Sequence, residues 1–318
     1  IGPLRFAALA LAAAGGTLMT TTAPDDGDVF DGPLPGLTAD ELAAFVRGDE
    51  EFERRFAPST GLGPLFNNVS CASCHSGDGR GVPGNVLIRL GSPADNFLAG
   101  QGGPQIQDKA IPGVAAEVTP SGVPLSRRLP PPVFGVGLIE AIPAATIIAA
   151  ADPDDVDGDG ISGRANWVTP AAYVAGNGTT LLGRFGRKSQ VATLLEQTVE
   201  AYHQDIGITS DFRLHENPRG GAGTPIEAVD AVADPEIPAG TVQAVVHYLR
   251  TLAPPAPGAM TPRRESGRQT FTAIGCAGCH TPTLRTGASP IAALAHRDVT
   301  LYSDLLLHDL GDELADHR

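Results

Sequence analysis

The string Cys71-Ala72-Ser73-Cys74-His75 decides how this chain reads, and its pattern returns at Cys276-Ala277-Gly278-Cys279-His280. Together the two pentapeptides hold all four cysteines of the 318 residues. Cys-x-x-Cys-His is the attachment pattern of c-type haem. Two thiols three positions apart on a helical turn can reach the two vinyl groups of one porphyrin and form thioethers. The histidine that follows offers an imidazole nitrogen to the iron from the proximal side. Small residues at the two intervening positions let the backbone lie close to the macrocycle. A thioredoxin-like dithiol or a four-cysteine zinc site would use the same thiols, but either leaves both histidines as coincidence. The motifs therefore predict two covalently bound haem c groups, held by Cys71, Cys74 and His75 and by Cys276, Cys279 and His280.

Outward from the motifs, acidic residues outnumber basic ones 36 to 22, for a formal charge of -14 at pH 7. Such a balance argues against a nucleic-acid partner, which selects basic patches. Hydrophobic residues make up 42% and aromatic ones only 5%, beside 39 Gly and 28 Pro. This composition predicts a mainly α, loop-rich fold in which porphyrin completes the apolar surface. The chain opens without Met, and Arg5 precedes the apolar run 6–14 and the small residues Gly15 and Gly16. Residues 1–23 read as a signal peptide, with an Ala-x-Ala cleavage option at Ala12-Ala13-Ala14. No window approaches the ~20 apolar residues of a transmembrane helix. Thioether formation outside the cytoplasm agrees with export, so a periplasmic or otherwise exported protein is expected.

Residues 24–37 read as a linker, 38–253 as a first cytochrome c-type domain with long loop insertions, and 258–318 as a second. Thr38 should cap a helix over 39–56, with Asp40 and Glu41 in its first turn. Further helices are expected over 143–151, 190–202, 238–252 and 262–274, the third of these with Val242, Val245, Val246 and Leu249 on one face. The run Ala253-Pro254-Pro255-Ala256-Pro257 separates the domains. Residues 76–136 read as loops and short pieces, and 208–235 as irregular. Only 38 residues follow His280, so the second domain reads as truncated at its C-terminus.

Several strings carry a family likeness. They are GLGPLFNNVSC (61–71), QDKAIPG (107–113), PPVFGVGLIEAIP (131–143), DGDGISGR (157–164), GRFG (183–186), GITS (207–210) and IGCAGCHTPTL (274–284), followed by 302–316. In this order, over about 38–318, the chain resembles the di-haem oxidoreductase, putative peroxidase family, relatives of bacterial di-haem cytochrome c peroxidases. The resemblance implies that a small redox protein or other donor feeds one haem and that the second reduces peroxide. The alternative is a non-catalytic di-haem electron-transfer cytochrome, and more distantly a zinc module. Three departures stand out. Arg187 replaces the family's usual Trp, Ile206 and Leu310 stand where Met is frequent, and the family continues past Arg318.

Each iron also needs a sixth position assigned. Of the remaining histidines, His308 follows Leu305-Leu306-Leu307 inside a matched block and is the candidate ligand near the second haem. His203 is weaker, His247 reads as an ordinary helix residue, and Met260 lies in the Pro-rich linker. Peroxide cleavage needs a proton-moving group. Glu140, in an apolar stretch, and Gln107, beside Gln105 and Asp108 in a matched loop, are the catalytic candidates. Glu140 reads equally as a helix N-terminal acid or as the partner of Arg127 or Arg128. Asp155-Val156-Asp157-Gly158-Asp159-Gly160-Ile161 has the Asp-x-Asp-x-Asp-Gly start of a calcium loop, with the Ile161 carbonyl as a further ligand. Asn166 stands where a bidentate Glu would close a full EF-hand. Trp167, the only Trp, is expected to be a packing residue.

Overall fold

The computed structural model describes residues 31–75, 79, 81–90, 105–217 and 229–314. The expected signal peptide, the first part of the linker and His317 lie outside these residues. Helix α1 (Ala39–Glu53) begins as the sequence predicts: Thr38 Oγ1 accepts from Glu41 N at 3.2 Å, and Thr38 N donates back to the Glu41 carboxylate at 2.7 Å. This reciprocal cap satisfies two otherwise orphaned donors. The helix stops three residues earlier than expected. Arg54 turns to extended backbone, so Phe56 N can donate to Val69 O at 2.8 Å. The Phe56 ring then meets Tyr202 edge-on, 6.2 Å between centroids.

The short helix α2 (Cys71–Cys74) carries the first motif, and α3 (Val136–Glu140) and α4 (Ala144–Ile148) follow. Five residues give too little periodicity to announce α3 in the sequence. Helix α5 (Leu194–Ala201) starts four residues later than expected, capped by Thr193. Residues 190–193 are taken up elsewhere: Val191 pairs with Phe185 in a backbone bridge. A wider turn, Tyr202–Ile206, prolongs α5 beyond its expected end. Helices α6 (Ala239–Thr251) and α7 (Pro262–Ala273) sit within a residue of their expected bounds.

The main core lies between α1 and α6. Phe45 and Phe52 flank Tyr248, with ring centroids 4.9 and 5.2 Å away, and Val242, Val245 and Val246 are buried beside them. Gly48 makes this contact close, because a Cβ there would sit 2.2 Å from Ala244 O. Among the described residues the strands are short, two to four residues, in five antiparallel pairs. They are β1 (Leu65–Phe66) with β3 (Lys109–Ala110), β2 (Leu87–Leu90) with β4 (Leu125–Arg128), β5 (Gly163–Arg164) with β10 (Leu307–His308), β6 (Trp167–Val168) with β7 (Leu181–Leu182), and β8 (Leu284–Arg285) with β9 (Asp298–Val299). Helices thus supply the long elements and loops most of the rest, as the composition predicts.

Two smaller cores join the halves of the chain. Leu138 is buried with Ala293, Leu294 and Val299. Ile142, Ile147 and Leu182 pack with Leu284, Leu301, Leu305 and Leu306. The segment after the second motif is therefore folded onto the first half. Helix α7, by contrast, buries none of its residues. No helix among the described residues is long and apolar enough to cross a membrane.

Candidate functional site

At the first motif, Ser70 caps α2 by accepting from Ser73 N at 3.1 Å. His75 N then donates to Cys71 O at 3.0 Å. This one turn holds Cys71, Cys74 and His75 on a single small unit. All four cysteines of the chain are free thiols. Burial pushes the Cys71 thiol up to about 12, with the Asp205 carboxylate adding to the shift. Cys74 is also raised by burial, opposed by Asn68, whose Nδ2 donates to the sulfur at 3.3 Å. Burial lowers His75 to about 4, although the backbone carbonyls of Gly79 and Pro131 face the ring and favour its charged form. The imidazole is thus neutral at pH 7, the form that donates a lone pair to a metal. Its Nδ1 is buried and has no hydrogen-bond partner among the described residues.

The second motif repeats the turn with different support. A left-handed Gly275 leads into Cys276–Gly278, and His280 N donates to Cys276 O at 2.9 Å. His280 Nδ1 donates to Tyr302 O at 3.1 Å. That bond fixes the tautomer and leaves Nε2 with its lone pair. Tyr302 holds its carbonyl there from a left-handed backbone, φ 52°, and Leu305 has φ 62°. Non-glycine residues in that region cost free energy and persist only where surroundings impose them. Free paired thiols followed by an imidazole suit haem at both turns; zinc would need the two cysteine pairs in one place.

β10 brings His308 to the second motif. Its Nδ1 lies 4.0 Å from Cys279 Sγ, while Nε2 bonds the buried Asp304 carboxylate at 2.7 Å. His308 therefore lies beside the second motif, with one ring nitrogen already engaged. The acidic loop is there too. The Ile161 side chain fills the open side of Gly278, 2.5 Å from where a Cβ would be.

Within that loop, carboxylate oxygens of Asp152, Asp155 and Asp157 lie within 4.8 Å of one another. Asp159 stands apart, its Oδ1 accepting from Ile161 N at 2.8 Å. Asp152 lies outside the alternating register by which the loop reads, and a further acid in the same run is the only signal for it.

The catalytic candidates are firmly held. Glu140 Oε1 accepts from Leu194 N at 2.8 Å, at the start of α5, and Oε2 meets Arg250 Nε at 2.5 Å. It thus ends α3 and caps the first turn of α5 through space, and its cation is Arg250 rather than Arg127 or Arg128. Chain proximity gives no hint of a partner 110 positions away. Gln107, 1% exposed, donates to Leu65 O and Gln204 O and accepts from Asn217, each at 3.0 Å. Gln105 joins Asn67 and Asp205. Burial raises the Asp205 carboxyl to about 6, against Gln105 and Arg89, which favour its charge. This polar layer beneath the first motif, with Asn68 on the Cys74 sulfur, carries no sequence signature.

Other expectations resolve simply. His247 Nε2 bonds Glu41 O at 3.0 Å, an ordinary helix contact. His203 is buried with Nε2 on His215 O, and Met260 is exposed. Trp167 is not a packing residue: it is 55% exposed, because the two-residue strand β6 turns it outward.

A loop-rich chain whose long elements are helices, carrying two such Cys-x-x-Cys-His turns, has the make-up of a redox protein. The family described as "Di-haem oxidoreductase, putative peroxidase" matches residues 9–90 and 106–318. The chain belongs to that family. No curated protein and no solved structure matches it.

Proposed function

We propose that this protein binds two haem c groups covalently and acts as a peroxidase-like oxidoreductase. Electrons from a small redox protein or other donor enter at one motif and leave to peroxide at the other. The observation that carries the reading is the repeated turn, with the His75 N–H on Cys71 O, the His280 N–H on Cys276 O, and every thiol free. Bound haem supplies one-electron chemistry and, where its sixth position is open, a place for peroxide. The chain contributes the thioether sulfurs and the two proximal imidazoles. Asn68 steadies the Cys74 sulfur, and Tyr302 orients His280. His308 is the candidate sixth ligand at the second motif. Asp155 and Asp157, joined by Asp152 and the Ile161 carbonyl, are the proposed calcium ligands, with Asp159 left to shape the loop.

Residues 38–253 and 258–318 each carry one haem in this reading, and the protein is exported. Glu140 and Gln107 are its candidates for handling protons and peroxide. Their full hydrogen bonding favours a second reading, a di-haem electron carrier with both irons six-coordinate. A pyridine haemochrome spectrum and peroxide-dependent oxidation of a reduced c-type cytochrome test the pair together. Two haems with turnover support the oxidoreductase. Two low-spin haems without turnover leave the carrier, and absent haem overturns both.

A further inference from the structure

The strands β2 and β4 end at a surface unlike the rest of this acidic chain. A shallow cleft of about 530 Å³ is lined by Leu125, Ser126, Arg127, Arg128, Leu129, Arg187 and Lys188. Among the described residues, four of these seven are cationic and none is acidic, in a chain whose acids outnumber its bases 36 to 22. Two of its guanidinium groups are held in place. Arg128 donates to Ser126 Oγ at 3.0 Å and to Gln190 Oε1 at 2.8 Å. Arg187 donates through Nε and Nη2 to Leu129 O, both at 3.2 Å. The Arg127 side chain is exposed and makes no hydrogen bond among the described residues.

An oxyanion in such a cleft is drawn to its arginines by charge. Arginine suits the task because its planar fork matches two oxygens at once. The segment that follows Leu129 reaches the first motif. Val82 N donates to Cys74 O at 3.0 Å, and Val133 N donates to Gly79 O at 2.9 Å. The Pro131 carbonyl, two residues beyond Leu129, faces the His75 ring.

We propose that this cleft binds a small, multiply charged oxyanion of the carboxylate or phosphate type, with Arg127 and Arg187 as its principal contacts. The same chemistry has two sources: a diffusible anion, or the propionates of a haem attached at Cys71 and Cys74. The second source rests on the haem reading above; the first does not.

The experiment uses the holoprotein at low ionic strength, with Arg127→Gln/Arg187→Gln compared with wild type and with Arg285→Gln. Arg285 is an exposed residue of the second half, paired with Asp298. Calorimetric titration with inorganic pyrophosphate reads the diffusible source, and spectroelectrochemistry reads the haems. Saturable binding that weakens at least tenfold in the double variant but not in Arg285→Gln identifies a diffusible ligand. No binding to wild type, with a lower midpoint potential for one haem in the double variant alone, identifies the propionates, because losing nearby positive charge favours the ferric state. Any other pattern overturns the proposal. Arg127→Gln alone removes no internal hydrogen bond and keeps the test valid if the double variant folds poorly.

Discussion

Glu140→Ala is the substitution that separates structure from chemistry most sharply. Glu140 accepts from the first backbone N–H of α5 at 2.8 Å, and Leu194, which owns that N–H, is 2% exposed. Losing a helix N-terminal acceptor costs about 1 kcal/mol, and a buried donor left unpaired raises this to about 1–3 kcal/mol. The second oxygen holds Arg250, whose side chain is 37% exposed against 19% for Glu140. Solvent screens such a pair, so it adds about 0.5–1 kcal/mol. The expected total for Glu140→Ala is about 1.5–4 kcal/mol, read as a shift in the urea midpoint of the holoprotein. Glu140→Gln keeps an acceptor for Leu194 N and should cost about half as much. A cycle with Arg250→Ala should show coupling of about 0.5–1 kcal/mol. If the stability of Glu140→Ala lies within about 0.5 kcal/mol of wild type, the structural role argued from these bonds is refuted. Peroxide turnover measured on the same folded Glu140→Gln sample gives the other half. A rate unchanged within about twofold removes Glu140 from the proton pathway, whereas a loss of about a hundredfold restores it.

Gly48→Ala places a Cβ 2.2 Å from Ala244 O and 2.6 Å from Tyr248 Cβ; α1 and α6 must separate, costing about 1–3 kcal/mol in a urea melt. Glu236 is raised to about 7, chiefly by burial, with Asp230 and Asp234 adding repulsion. A folded-state pKa above the unfolded one means that the native state holds its proton more tightly. Stability should therefore fall as pH rises from about 4.5 to about 7, and Glu236→Gln should flatten that slope in urea melts at several pH values. An unchanged slope would discount the burial argument. Asp157→Ala should weaken calcium binding at least tenfold by calorimetry, and unaltered binding removes the loop as a calcium site. His308→Ala should turn the second haem high-spin in its visible spectrum if His308 is its sixth ligand, and leave it unchanged otherwise.

Local chemistry is legible in the amino-acid sequence. Thr38 and Glu41 announce their reciprocal cap, and Val242, Val245, Val246 and Leu249 announce the buried face of α6. Helix ends are less legible, because they depend on competition from distant partners. Phe56 leaves α1 to meet Val69 and Tyr202, and Val191 leaves α5 for Phe185. Two-residue strands have no readable period at all, so the pair that brings Gly163 beside His308 leaves no trace in the sequence. The outward turn of Trp167 in β6 is hidden for the same reason.

By itself the sequence determined the chemistry and its count: two thiol pairs, each followed by histidine, and an acidic run of calcium-loop spacing. Those are patterns of covalent neighbours, which hold whatever the rest of the chain does. Tertiary structure decided who stands beside them. It gave Glu140 to Arg250, His280 to the Tyr302 carbonyl, Asp152 to the acidic cluster and His308 to Cys279. It also gathered four cations from 127–128 and 187–188 into one cleft of a chain that is acidic overall. Charge and hydrogen bonding act through space, so partners far apart in sequence become visible only once the backbone has folded between them.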